Sequence, residues 1–146
     1  MSKADGMMYA PKGKPNPVCK KGEFRFAAVA LNHGHIYGMT NGLLESGGEL
    51  VWVYDPDPAK VEAFQKAYPE VKVASSEEQV LEDESLNLVA GAAVTSERCA
   101  LGLRVMDRGK HYLSDKAPFT TFEQLEQARA KVAETGLIWA VCYSER

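Results

Sequence analysis

Asn32, His33, Gly34 and His35 follow the apolar run "FRFAAVA" (24–30), where the chain leaves a strand pattern for a helical one beginning near Ile36. Three kinds of chemistry suit such a stretch. The N–H groups and positive dipole end of a helix can hold an anion, a pyrophosphate for instance. Two imidazoles at i and i+2 can ligate a metal, although third and fourth ligands are not evident: the only other histidine, His111, opens a strand that should be covered. Alternatively, the polar groups cap a turn that binds nothing. Imidazoles can also act as general acids, but nothing in the sequence places a substrate beside these two.

Other chemistry-bearing residues also stand just past apolar runs. Asp55 follows "LVWVY" (50–54), 23 residues beyond Asn32, about the interval at which an acidic side chain accepts hydrogen bonds from an adenosine ribose. Thr95 and Ser96 follow "LNLVAGAAV" (86–94), and "SDKAPFTT" carries Asp115 and Lys116 past the fifth run. An Asp-Lys pair taken alone is an ordinary solvated charge pair. In a doubly wound sheet, however, the ligand lies beyond the carboxyl ends of the strands, and Asp55 and Lys116 fall at that edge independently. The anion-holding reading of residues 32–35 therefore leads.

For these residues to converge, strands and helices must alternate. Six strand patterns are visible, at 24–30, 50–54, 71–74, 86–94, 111–114 and 137–143, and several are apolar throughout, as parallel strands covered on both faces are. Between them, Asp57 is a natural N-cap with Pro58 at the first helical position, ahead of Val61, Phe64 and Tyr68 on one face. A helix from about Glu97 to Arg108 turns Ala100, Leu103 and Met106 inward and ends at Gly109. Thr121 caps a last helix with the stripe Phe122, Leu125, Ala128 and Val132, and Gly136 offers a left-handed C-terminal cap. The pattern predicts an α/β fold, a doubly wound, mostly parallel sheet of about six strands with helices on both faces.

The 146 residues allow one domain, with the 45% hydrophobic and 25% charged content of an ordinary globular protein. A net charge of −3 with scattered Lys and Arg argues against a nucleic-acid surface, and no apolar run reaches the roughly 18 residues of a membrane span. Residues 1–22 hold five lysines, three prolines and three glycines without a periodic apolar face. They predict a flexible leader to a domain over 23–146. The leader has neither a secretion core nor transit-peptide arginines, so a cytoplasmic location is expected. Cys19, Cys99 and Cys142 lack metal or redox spacing and predict reduced thiols.

Taken in order, these residues resemble the amino-terminal domain of the Gfo/Idh/MocA oxidoreductases. The resemblance runs from Phe24 to Arg146 and is carried by "YDPDPAKVEAF", "RGKHYLSDKAPFTTFEQLEQA" and the closing "CYSER". It implies a Rossmann-type domain that binds a nicotinamide dinucleotide, in an enzyme moving hydride to or from a sugar, polyol or related hydroxyl compound; Asp55, followed by "PDP" with no arginine to receive a 2′-phosphate, predicts NAD, with NADP less favoured. The other possibility is a binding module that keeps this fold without turnover. Lys116 takes the catalytic place by the same resemblance, with Asn32, His33, Gly34, His35, Ile36, Asp55, Thr95 and Asp115 around the dinucleotide, and no metal. Gly34 is expected to need a positive φ and close ligand approach. This sequence departs from the family pattern at several points. Ala30, Asn32 and His35 stand near the three glycines of G-x-G-x-x-G, Asp115 replaces glutamate, Ala117 separates Lys116 from Pro118, and Arg98 stands where histidine is common. The family's second, substrate-holding domain is not in this chain, so the chain alone is expected to be inactive. The uncovered sheet face at "LIWAVCY" is expected to favour homo-oligomers.

Overall fold

Phe26, Ala27, Ala28 and Val29 have no solvent exposure, which a strand achieves only with neighbours on both edges and helices over both faces. The computed structural model, which describes residues 16–143, places them in β1 (Arg25–Val29). The other strands are β2 (Glu49–Tyr54), β3 (Lys72–Val73), β4 (Leu88–Gly91), β5 (His111–Asp115) and β6 (Trp139–Cys142). They form one sheet in the order β3-β2-β1-β4-β5-β6, parallel at every pairing.

Five helices connect them: α1 (His35–Glu45), α2 (Pro58–Ala67), α3 (Glu77–Glu82), α4 (Arg98–Asp107) and α5 (Phe122–Thr135). Alternate β1 residues feed two cores. Phe26 and Ala28 pack with Ile36 and Met39 of α1 and Val61 and Phe64 of α2. Ala27 and Val29 pack with Val80 of α3 and Leu101, Val105 and Met106 of α4. This is the doubly wound, Rossmann-like arrangement that the apolar runs predict.

The caps at Asp57 and Thr121 form as expected, each side chain accepting a backbone N–H two or three residues on, and Gly136 ends α5 at φ +67°. Two helix faces differ from the expectation. In α4 the buried residues are Arg98, Cys99, Leu101, Gly102, Val105 and Met106, not the face through Ala100 and Leu103. The reason is Gly102, where an added Cβ would lie 2.3 Å from Trp139 and 2.6 Å from Tyr112, so that only a glycine lets α4 sit this close to β5 and β6. In α5, Phe122 is 88% exposed: the helix packs against α4, where the Cys99 thiol donates to Gln124 O at 3.4 Å, and Ala128 is its buried residue. Helix α3 has no counterpart in the sequence reading.

Of the predicted leader, residues 1–15 lie outside the described residues. Val18 N–H donates to Ser46 O at 2.9 Å, and the Cys19 thiol donates to the same carbonyl at 3.5 Å. Residues 144–146 of the closing "CYSER" also lie outside. Among the described residues no helix is long and apolar enough to cross a membrane.

Candidate functional site

Strand order reverses at the β1/β4 pairing, so the segments that follow β1 and β4 diverge and leave a crevice at the carboxyl edge. Ala30 is the pivot of this crevice. Its N–H donates to Tyr54 O and its carbonyl accepts from Ala92 N–H, both at 3.2 Å, which fixes it between β2 and the β4 exit at φ +53°. The left-handed residue of the loop is thus Ala30, while Gly34 is right-handed at φ −60°. That corrects the expectation for Gly34: the tight turn comes where the first of the three glycines would stand, and a Cβ at Gly34 meets nothing within 4 Å. Ala30→Gly should therefore stabilise the fold by about 0.5–1 kcal/mol, since glycine removes the left-handed penalty and gives back part of it in chain entropy. Urea denaturation checks this; a lower midpoint would mean that the Ala30 methyl contributes more packing than its φ costs.

Helix α1 opens without a side-chain cap from Gly34, and the neighbouring histidine fills that role. His33 Nδ1 accepts His35 N–H at 3.2 Å, while Ile36 N–H and Tyr37 N–H turn back to the carbonyls of His33 and Gly34. Ile36 has no exposure, so its side chain belongs to the core and not to a ligand surface. Asp55 is also turned inward. Its Oδ2 accepts Leu31 N–H at 2.6 Å and its Oδ1 accepts Asp57 N–H at 2.9 Å, with Lys60 Nζ 3.7 Å away. The carboxylate thereby ties the end of β2 to the loop after β1.

Asn32, Asp55 and Lys60 line a cleft of about 510 Å³ together with Ala30, Ala93 and Glu97. On its far wall Arg104 pairs with Glu77 at 2.7 and 3.1 Å, and that bond holds the guanidinium above its ordinary pKa. Thr95 lies in a short 3-10 turn and is not among the residues lining this cleft.

The remaining predicted residues gather at the end of β5. His35 Nδ1 is 2.9 Å from Asp115 Oδ1, and because an ionised carboxylate only accepts, Nδ1 carries the proton. His33 Nδ1 lies 3.6 Å from Asp115 Oδ2, but it already accepts from His35 N–H, so this is proximity and not a hydrogen bond. Asp115 is 1% exposed and is paired by Arg98 Nη2 at 3.1 Å. Arg98, where the family pattern often has histidine, is itself 4% exposed and ties this network together. Its Nε donates to Ala93 O at 2.7 Å and its Nη1 to the carbonyls of Lys116 and Ala117. The peptide between Lys116 and Ala117 is cis.

His33, His35 and Asp115 offer three metal-ligating atoms within 4.8 Å of one another, so the third group that spacing did not reveal is Asp115. The charge of that carboxylate is already met by a buried arginine, and Oδ1 accepts two donors, His35 Nδ1–H and Lys116 N–H. That arrangement suits a satisfied network better than a cation site.

The model of the Gfo/Idh/MocA oxidoreductase family, NAD-binding Rossmann fold, matches residues 25–143. Among solved structures, an oxidoreductase-type protein from Erwinia carotovora atroseptica is 41% identical, with a TM-score of 0.82 over 85% of this chain and 37% of that one. An NAD-binding protein from Listeria innocua is 24% identical (TM-score 0.72, 81% of this chain and 34% of that one). The WlbA dehydrogenase from Bordetella pertussis, in complex with NADH and UDP-GlcNAcA, is 22% identical (TM-score 0.71, 88% and 36%). The chain thus spans little more than a third of the structures it matches. No curated protein matches it.

Proposed function

The chain belongs to the Gfo/Idh/MocA oxidoreductase family through its NAD-binding Rossmann domain, and from that premise we propose that it holds NAD, in preference to NADP, for hydride exchange with a hydroxyl-bearing carbon of a sugar, polyol or related compound. The observation that best supports the cofactor side is the cleft at the β1/β4 reversal, where Asn32 and Asp55 face one space. The residues fit the group. Each Asp55 oxygen accepts one backbone N–H and keeps lone-pair capacity for a ribose hydroxyl, and the space beyond Gly34 is open. When bound, the dinucleotide supplies the hydride chemistry. Lys116 polarises the reacting oxygen and holds a proton at Nζ, and His33 and His35 shape the loop beside it. The sugar nucleotide bound to the Bordetella dehydrogenase supports the sugar class. Edge strand β6, with Ile138 61% exposed beside it, is where self-association fits.

Cofactor choice tests this reading. Asp55 repels a 2′-phosphate, and Lys60, pairing with Asp55 itself, offsets only part of that repulsion. Calorimetric titration of this chain should give NAD about tenfold tighter than NADP, which is roughly 1.4 kcal/mol. Asp55→Asn keeps an acceptor for Leu31 N–H while removing the charge, so it should narrow the ratio toward one. Equal affinities in the unaltered chain, or an unchanged ratio in the variant, would remove Asp55 from the site; no heat with either dinucleotide would favour a binding module that keeps the fold for another purpose.

A further inference from the structure

One carboxylate oxygen joins the start of α1 to the backbone of Lys116. Asp115 Oδ1 accepts from His35 Nδ1–H at 2.9 Å and from Lys116 N–H at 2.8 Å. The other oxygen is held by Arg98, whose second nitrogen donates to the Lys116 carbonyl. Both polar groups of Lys116's main chain are thus bound by the Asp115–Arg98 pair, and the pair is itself bound by a side chain of the loop after β1. We propose that Asp115 and Arg98 are positioning residues for Lys116, and that His35 is the link through which the loop of residues 32–35 sets how tightly Lys116 is held.

The parts have the properties such a link needs. Asp115 and Arg98 are buried, at 1% and 4% exposure, so their charge-assisted hydrogen bonds are strong and little screened. His35 is the first residue of α1, and its ring packs edge-on against that of His33 at 4.0 Å between centroids. Anything that orders residues 32–34 therefore acts on the His35 ring, and the ring acts on Oδ1. A second donor on Oδ1 also fixes the carboxylate rotation that presents this oxygen to Lys116 N–H. Coupling of this kind is reciprocal, so the state of Lys116 must in turn bias the loop. Sequence separation gives no hint of it, since His35 and Asp115 are 80 residues apart.

Amide hydrogen exchange of the Lys116 N–H, followed by NMR on this chain, tests the link. Without ligand, His35→Ala should speed exchange at Lys116 about tenfold while leaving the Val89 amide in β4 unchanged, because the effect is local and not global opening. His35→Asn places a donor near the Nδ1 position and should restore most of the protection. Equal Lys116 exchange in wild type and His35→Ala overturns the proposal, as does acceleration of Val89 and Lys116 together, which would make His35 a general stabiliser. A second arm rests on the dinucleotide reading: saturating NAD should slow Lys116 exchange in wild type and His35→Asn, and not in His35→Ala that still binds NAD by calorimetry. Absence of NAD binding would overturn that reading alone, since the ligand-free arm decides the link by itself.

Discussion

Arg98→Ala lowers the stability of this chain by about 3–5 kcal/mol, the range found when one member of a buried ion pair is removed. The Arg98 and Asp115 side chains are 5% and 1% exposed and 3.1 Å apart, so deletion of the guanidinium strands a carboxylate away from water. The carbonyl of Ala93 also loses its Arg98 donor, as do those of Lys116 and Ala117. Urea unfolding with a fixed slope reads the change. Two further variants separate charge from shape. Arg98→Lys keeps the charge but cannot reach four acceptors with one ammonium, so it falls between wild type and alanine. The double variant Arg98→Leu with Asp115→Leu removes the stranded charge and should be more stable than Arg98→Ala alone. A loss under about 1 kcal/mol in Arg98→Ala would mean that water or a neighbouring cation reaches Asp115.

Why Arg98 escapes a reading of the sequence is instructive. The strands are legible because burial on two faces demands apolar runs, and "FRFAAVA" or "LNLVAGAAV" admits little else. The caps at Asp57, Thr121 and Gly136 are legible because each solves a local backbone problem with a local side chain. Arginine at the first position of α4 carries no such signature, since its partners are the Asp115 carboxylate at the end of β5 and carbonyls of the segments that follow β4 and β5. The same limit hides the partner of His35, which is set by strand order and not by spacing. Local exceptions are equally hard to see. Ala30 adopts a conformation that alanine seldom does, because hydrogen bonds to Tyr54 and Ala92 hold it there. Helix α3 is six residues long, too short for periodicity, though "SSEEQ" carries its signal: Ser76 accepts Gln79 N–H and Gln79 accepts Ser75 N–H, a reciprocal cap one residue out of the usual frame.

In a protein carrying this domain with a remainder like that of its solved relatives, Lys116→Ala cuts kcat by about 10²–10⁴, the range of a lost acid–base group. KM for the dinucleotide stays within about threefold, because a group acting on the substrate oxygen contributes to the transition state more than to ground-state binding of the cofactor. The geometry gives this expectation its direction. Lys116 follows Asp115 at the carboxyl end of β5, on the same edge as the start of α1, and its backbone is clamped by Arg98 from below. A clamped backbone spends rigidity on the side chain beyond it, which suits a group that must meet a reacting atom in near-attack geometry. This chain alone should show no oxidation of polyols or sugars when NADH absorbance is followed, because one Rossmann domain leaves the reacting face open to water and supplies few contacts to orient a substrate. Two results would count against this account. Turnover by this chain that survives Lys116→Ala would move the acid–base role elsewhere, with His35 the first residue to examine. A Lys116→Ala enzyme whose kcat is unchanged while dinucleotide KM rises would make Lys116 a cofactor ligand, and the clamp of Asp115 and Arg98 would then serve binding and not the chemical step.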